Sequence, residues 1–215
     1  MAQRIVDLTL PVRDGMRGVS VEPHTSIDTD GYNTSMYHLY SHSGTHMDAP
    51  LHFLEGGNTI DKLELSRCMG PARVIDVSHV NPNGVISLED LGAHATTVGP
   101  GARLLLRTDW DLHAQMDDYR SHMPRISPAL ATWFANRGIW LLGLETPSVA
   151  SLRPENRAEL TEVHQILLRA EIVIVESLAK LRRLENETVF FVVLPLKMEG
   201  RDGSPVRAVA MDGDA

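Results

Sequence analysis

Three short stretches rich in apolar residues in the second half of the chain constrain its fold more than any other feature. They cover residues 103–108, 139–144 and 172–175, and helical stretches at 128–137 and 158–170 lie between them. Strands that alternate with helices are typical of an α/β domain, and strands without a polar face are buried on both sides. We therefore predict an α/β fold with a central sheet and flanking helices.

The other predicted elements are shorter and less regular. We expect strands at 4–12, 34–41, 73–77, 188–196 and 206–210, a short helix at 88–94, and a loop at 16–33. A chain of 215 residues suits one well-packed core. We predict a single domain over residues 1–215.

Charge and hydropathy exclude several classes of partner. The formal net charge is −8, from 20 Lys+Arg and 28 Asp+Glu, which argues against binding to a phosphate backbone. No apolar run approaches the roughly 20 residues that span a bilayer, and the N-terminus lacks the apolar core of a secretion signal. We expect a cytoplasmic enzyme. The only cysteine, Cys68, excludes an intrachain disulfide and a cysteine-rich zinc site.

The stretch from residue 41 to 52 concentrates potential metal ligands. His42, His46, Asp48 and His52 fall within eleven residues, with Gly44 and a proline between them. Imidazole nitrogen and carboxylate oxygen are ligands that zinc and manganese accept. Because an apparent strand precedes the stretch, we place it where a strand leaves the sheet, and we predict a metal or catalytic site there.

This stretch also resembles the signature His-x-Gly-Thr-His-x-Asp-x-Pro-x-His of the metal-dependent hydrolases called putative cyclases, which include bacterial kynurenine formamidase and isatin hydrolase. Every fixed position is filled here, by His42, Gly44, Thr45, His46, Asp48, Pro50 and His52. The resemblance continues nearly to the C-terminus. It implies a swivelling β/β/α fold with a central mixed sheet, and a homodimer or larger homo-oligomer.

The remaining metal ligands must come from elements far from residues 41–52 in the sequence. His164 lies on the predicted helix 158–170, and Glu176 ends the strand that follows it. By themselves, these residues are equally consistent with a surface histidine and a loop carboxylate. The resemblance implies that both are ligands of a second metal, because kynurenine formamidases have a histidine and a glutamate in matching segments.

We therefore expect His42, His46 and Asp48 to hold a first metal ion, with Asp48 bridging to a second ion held by His164 and Glu176. Zn²⁺ is the first expectation and Mn²⁺ the alternative, with one or two ions per chain. Such a centre activates water for attack on an amide or formamide carbonyl. His52 is left as the general acid/base, a role that the resemblance also implies.

The substrate remains open at the level of sequence. The leading candidate substrate is an aryl formamide such as N-formylkynurenine. The enzymatic alternative is the opening of a cyclic amide such as isatin. The non-enzymatic alternative is a metal-stabilised binding protein without turnover. Two departures from the family pattern bear on this choice. Met16–Ser20 replaces a Trp-Pro-Gly-Asp-like segment, and Glu145 stands where the family usually has aspartate. Both segments are candidates for shaping the substrate pocket.

Overall fold

The computed structural model describes residues 4–213. Its strands are β1 (Arg4–Asp7), β2 (Val19–Thr25), β3 (Thr34–Leu39), β4 (His46–Asp48), β5 (Met69–Asp76), β6 (Val85–Ile86), β7 (Arg103–Arg107), β8 (Arg125–Ile126), β9 (Leu141–Leu144), β10 (Val173–Glu176), β11 (Thr188–Pro195) and β12 (Gly203–Asp212). Its α-helices are α1 (Ile27–Asp30), α2 (Pro128–Arg137) and α3 (Arg157–Arg169).

The main sheet closes on itself like a barrel. Eight strands follow the order β1-β12-β11-β5-β7-β9-β10-β4, and β4 also pairs with β12. The neighbours β5, β7, β9 and β10 are parallel, whereas β4, β11 and β12 pair antiparallel. The predicted α/β fold with a central mixed sheet and flanking helices is confirmed, and the closure removes most exposed strand edges.

The central strands bury both faces, as their composition predicts. In β7, Leu105 faces one core, while Leu104 and Leu106 face the other. The first core lies between the sheet and the helices α2 and α3, and includes the fully buried Phe134. The second lies inside the closed sheet and includes Phe191. Truncating either ring to alanine would cost about 3–5 kcal/mol, because cores repack only partly around a cavity.

Helix α2 has the predicted bounds because its end signals are local. The hydroxyl of Ser127 accepts a hydrogen bond from the Leu130 amide, and Pro128 occupies the first turn. Gly138 ends the helix in the left-handed conformation, with φ of 66°. Helix α3 begins and ends one residue earlier than the prediction of 158–170.

The predicted loop at 16–33 is wrong, because it contains β2, α1 and the turn of a hairpin. Strands β2 and β3 form a separate two-stranded antiparallel sheet, and every residue of β3 is exposed. The strand predicted at 34–41 therefore does not belong to the main sheet. The metal-ligand stretch enters the barrel through its own strand, β4. The first strand of the hairpin, β2, contributes to neither buried core and lacks the periodic apolar signal that predicts a strand, whereas β3 is a strand as predicted.

Other boundaries also differ from prediction. The first strand ends at Asp7 instead of residue 12, and Thr9 makes only an isolated bridge to Leu178. The helix predicted at 88–94 is a 3₁₀ segment, Glu89–Thr96, kinked where Gly92 has φ of 53°. The domain limits predicted at residues 1 and 215 lie outside the described residues. Within 4–213, no helix combines the length and apolar character that crossing a bilayer requires.

Candidate metal and catalytic site

Strand β4 carries the heart of the site into the barrel wall. It lies between β10 and β12, so that His46 pairs with Glu176 on one side and Asp48 pairs with Gly203 on the other. This register brings together residues more than a hundred positions apart in sequence. Gly203 must lack a side chain, because a Cβ there would lie 2.8 Å from the His42 ring.

Glu176 is the carboxylate on which two imidazoles converge. Its Oε2 lies 3.2 Å from His46 Nε2, and its Oε1 lies 3.4 Å from His164 Nε2. Burial alone would raise the pKa of Glu176, but the two neighbouring histidines overcome that effect and hold it well below its ordinary value. The structure thus brings together His164 and Glu176 as the sequence predicts.

Backbone carbonyls fix the orientation of both imidazoles. His46 Nδ1 lies 2.8 Å from the Gly44 carbonyl oxygen, and His164 Nδ1 lies 2.7 Å from that of Leu160. A proton on each Nδ1 leaves the Nε2 lone pair facing the carboxylates. This outer-shell arrangement is the one that metal-bound histidines usually show. Phe53 stacks on the His164 ring at 4.2 Å and holds it further.

Asp48 lies at the centre of the cluster with one oxygen unsatisfied. Among the described residues, its Oδ2 is the buried side-chain oxygen without a hydrogen-bond partner, which is costly unless a cation binds it. The other oxygen, Oδ1, is 3.7 Å from His46 Nε2, and Oδ2 is 3.8 Å from His164 Nε2. Tetrahedral ligands about 2.1 Å from zinc are about 3.4 Å apart, so the donor set fits a divalent metal.

His42 bridges two carboxylates on the other side of Asp48. Its Nδ1 is 2.9 Å from Asp48 Oδ1, and its Nε2 is 2.7 Å from Asp202 Oδ2. Burial alone would lower the pKa of His42, but these carboxylates, chiefly Asp48, raise it to about 9. A cation bound at Asp48 would replace the proton that this pKa describes.

His52 lies beside His42 instead of inside the carboxylate cage. The two rings stack with centroids 3.9 Å apart, and His52 Nδ1 is 3.6 Å from Asp202 Oδ2. Burial lowers the pKa of His52, so its neutral form is favoured at neutral pH. Two groups of three side chains have donor atoms that all lie within 4.8 Å of one another. One group is His42, Asp48 and His52, and the other is His46, Asp48 and Glu176. The predicted first set, in contrast, combined His42 with His46.

Sequence reasoning missed Asp202, which touches both His42 and His52. Its Oδ2 also accepts a hydrogen bond from the Ser41 hydroxyl at 3.2 Å. The only available signal was its position directly before Gly203, in a segment that already resembled the family. Its place beside His42 is a consequence of the β4–β12 pairing.

Two cavities open onto the cluster. The inner one, of about 390 Å³, is lined by His42, His46, His52, His164 and Glu176 among others. The outer one, of about 750 Å³, shares His42 and His46 with it. Both sizes suit small-molecule ligands. Met16 lines the outer cavity and Arg17 lines both, as expected for the segment that departs from the family pattern.

Glu145, the second departure, lines neither cavity. It is fully buried and accepts hydrogen bonds from the backbone amides of Thr108, Asp109 and Leu181. The Glu145 side chain is therefore structural, whereas its segment reaches the pocket through Pro147 and Ser148, which line the inner cavity. Trp110 and Trp140 also line neither cavity.

Comparison with known proteins decides the family. The sequence profile described as Putative cyclase matches residues 6–151. The chain belongs to this family. The matched range includes the whole stretch from His42 to His52, and the predicted family resemblance is confirmed.

Similar proteins cover most of the chain. Kynurenine formamidase of Bacillus cereus is 32% identical over 182 residues, covering 85% of this chain and 81% of its own length. That of Bacillus mycoides is 35% identical over 168 residues, covering 78% and 75%.

Solved structures show the same fold. Isatin hydrolase A from Labrenzia aggregata, bound to benzyl benzoate, superposes with a TM-score of 0.87 at 25% identity, covering 99% of this chain and 95% of that one. A structure described as a potential metal-dependent hydrolase with cyclase activity gives 0.81 at 26% identity, with full coverage of both chains. The cyclase-family fold implied by the sequence is thereby confirmed.

Proposed function

We propose that this chain is a metal-dependent hydrolase that breaks the C–N bond of an aryl formamide such as N-formylkynurenine. The observation that carries the proposal is the Asp48 carboxylate. Its Oδ2 is buried and unpartnered 3.8 Å from His164 Nε2, and its Oδ1 lies 3.7 Å from His46 Nε2. The similarity to proteins named kynurenine formamidase and isatin hydrolase supports the reaction class.

The residues that would hold the metal are those of the cage and its neighbour. They are His42, His46, Asp48, His164 and Glu176, with Zn²⁺ as the preferred ion, Mn²⁺ as the alternative, and one or two ions per chain. A bound divalent ion lowers the pKa of water and stabilises negative charge on a carbonyl oxygen in the transition state.

His52 supplies the proton transfers in this proposal. Its lowered pKa keeps the ring neutral and able to accept a proton from the attacking water. Stacking on His42 holds the ring at the wall of the inner cavity, where it can return that proton to the leaving nitrogen. Asp202 Oδ2 lies 3.6 Å from His52 Nδ1, and its negative charge stabilises the His52 imidazolium that forms between the two proton transfers.

Elemental analysis combined with a substrate screen tests the proposal. Purified protein should hold at least one divalent ion per chain and hydrolyse a formanilide. His46→Ala should lose both properties, while His24→Ala, a change on the exposed hairpin, should keep them. Metal and activity that persist in His46→Ala would overturn the assignment. Metal without turnover of any formamide, lactam or imide would instead indicate a metal-stabilised binding protein.

Opening of a cyclic amide is the second candidate function. The specific observation that favours it is the TM-score of 0.87 with isatin hydrolase A. The same groups would serve, since water attacks a lactam carbonyl as it attacks a formamide. Comparing kcat/KM for isatin and for a formanilide distinguishes the two candidates directly.

We also propose that the chain forms a homodimer through its hairpin. A two-stranded sheet is marginally stable alone in water, and one face of β3 exposes Tyr37 and Leu39, 58% and 39% of whose surfaces are accessible. Tyr37→Glu should yield monomers in sedimentation equilibrium. Ser20→Glu is the control, because Ser20 pairs with His38 and lies on the opposite face. An unchanged dimer in Tyr37→Glu would exclude this face.

A further inference from the structure

The walls of the two cavities carry charge opposite to that of the whole protein. The chain has a net charge of −8, yet cations outnumber carboxylates around the outer cavity. The cations are Arg13, Arg17, Arg120, Lys180 and Arg182, and the carboxylates are Asp111 and Asp117. Such a wall concentrates anionic ligands by focusing the field inside a cleft.

Arg120 is a cation of both cavity walls that the proposed mechanism leaves unused. It lines the inner cavity together with His46, His164 and Glu176. The neighbouring Tyr119 anchors it, because the Tyr119 hydroxyl bonds Ser177 Oγ at 3.0 Å and its carbonyl accepts from Trp110 Nε1 at 2.8 Å. Arg120 therefore has a defined place at the wall.

The Arg120 guanidinium has no hydrogen bond or ion pair with any residue in 4–213. Other arginines of the chain show the contrast: Arg182 pairs with Asp111 at 2.7 Å, and Arg125 pairs with Glu159 at 2.6 Å. Arg120 is half-buried, and a half-buried cation without a partner is costly. A ligand that brings its own anion would satisfy it.

A second guanidinium lies close by. Arg17 lines the same inner cavity and sits over the Tyr40 ring, with its Cζ 5.2 Å from the ring centroid. Burial, and next to it the charge of Arg17, lower the pKa of Arg120, which shows that the two cations repel each other. A planar anion placed between two guanidinium groups turns this repulsion into charge-assisted hydrogen bonds.

We propose that Arg120, assisted by Arg17, binds a carboxylate of the substrate at a distance from the amide that is hydrolysed. This inference rests on the proposed function and selects its substrate class: an aryl formamide with an acidic side chain is preferred over a neutral lactam. Both arginines bind and orient the substrate and take no part in proton transfer.

Binding of a product-like acid tests the subsite without turnover. The probe is 4-(2-aminophenyl)-4-oxobutanoate, compared with its carboxamide by titration calorimetry on the metal-loaded protein. Wild type should bind the acid about 10- to 100-fold more tightly, the range expected for charged hydrogen bonds worth about 1.5–3 kcal/mol. Arg120→Gln should abolish this preference while changing the affinity for the carboxamide less than about threefold.

Two further variants sharpen the result. Arg120→Lys should keep part of the preference, since a lysine retains the charge and loses the two-pronged geometry. Arg13→Gln removes the same charge from the outer cavity only, and should keep the full preference. If Arg120→Gln fails to fold, Arg17→Gln, at an exposed position, should still reduce the preference severalfold. If Arg13→Gln reduced the preference for the acid as much as Arg120→Gln does, the preference would come from the general electrostatic field of the cavity walls, and the proposed subsite would be wrong.

The remaining outcomes separate this inference from the proposed function. If wild type hydrolyses formanilides with and without the acidic side chain equally, and binds acid and carboxamide alike, the subsite is wrong and the hydrolase stands. If it binds the acid selectively but hydrolyses no formanilide, the subsite stands and the hydrolase fails. If free acetate binds as tightly as the aryl acid, the site holds small anions and the substrate assignment is overturned.

Discussion

Asp48 and Glu145 are two buried carboxylates, with 1% and 0% of their surfaces exposed, in opposite environments. Glu145 accepts three backbone N–H groups from Thr108, Asp109 and Leu181. Asp48 accepts from His42 through Oδ1 and leaves Oδ2 without a partner. The fold itself satisfies one carboxylate completely and leaves the other incomplete.

The difference separates structural burial from functional burial. A carboxylate satisfied by backbone amides stabilises the fold around it and offers nothing to a ligand. One that is buried, half-satisfied and surrounded by imidazoles costs stability, and binding of a cation offsets that cost. Burial alone therefore identifies neither role, whereas the count of unsatisfied atoms does.

The largest expected effect comes from Asp48→Asn. Removing the central charge should reduce metal content to a small fraction of an ion per chain, and activity by about 10³-fold or more, since metal catalysis is worth several kcal/mol. Elemental analysis and steady-state kinetics on the same sample measure this. Glu145→Gln, the same acid-to-amide change at an equally buried position, is the matched control and should keep its metal.

His52→Ala should have the next largest effect. The variant should retain the metal and lose about 10²- to 10⁴-fold in kcat, because general acid/base assistance acts in the transition state. Its place in the group with His42 and Asp48 makes metal stoichiometry the decisive measurement. Metal loss in proportion to activity would make His52 a ligand, and an unchanged kcat would remove it from the mechanism.

Asp202→Asn should have an intermediate effect. The carboxylate holds His42 Nε2 at 2.7 Å, and loss of such an outer-shell partner typically costs about 10- to 100-fold in metal affinity or activity. Competition with a chelator and kcat/KM on the loaded enzyme measure the two quantities. Ser41→Ala removes only a hydroxyl from the same oxygen and serves as control. Equal values for the two variants would show that Asp202 has no orienting role.

Glu145→Gln should change activity least, and stability instead. A Gln amide group would face a backbone N–H, at a cost of about 1–3 kcal/mol in the free energy of unfolding. Burial, and then the charge of Asp111, raise the pKa of Glu145 to about 7 from an ordinary 4.5. Between these values the folded state holds more protons than the unfolded state, so the stability contributed by Glu145 falls as pH rises.

Glutamine does not titrate, and this sets the pH dependence of the comparison. The stability advantage of wild type over Glu145→Gln should be larger at pH 5 than at pH 8. Urea unfolding of both proteins at the two pH values measures it. An advantage that is constant, or that widens toward pH 8, would show that the backbone amides keep Glu145 ionised throughout the range.

Local signals explain what sequence could predict. Helix α2 was predicted at its observed bounds because Ser127, Pro128 and Gly138 act on adjacent residues. The candidate ligands His42, His46 and Asp48 lie within seven residues, and their chemistry is visible in the residue types. The first strand of the hairpin, β2, was missed because it packs against neither core and carries no periodic apolar pattern.

The fold class, the family and a short list of residues able to bind metal could be predicted from the sequence, because apolar periodicity, ligand type and the family signature are properties of neighbouring positions. The grouping of those residues, and the further residues that join them, follow from tertiary packing. Asp202 lies 160 positions from His42 yet touches it. Arg120 and Glu176 line the same cavity because the hydrogen bond from Tyr119 to Ser177 holds the Arg120 loop in place. Such contacts depend on strand register and packing, which bring distant residues together without leaving a local pattern in the sequence.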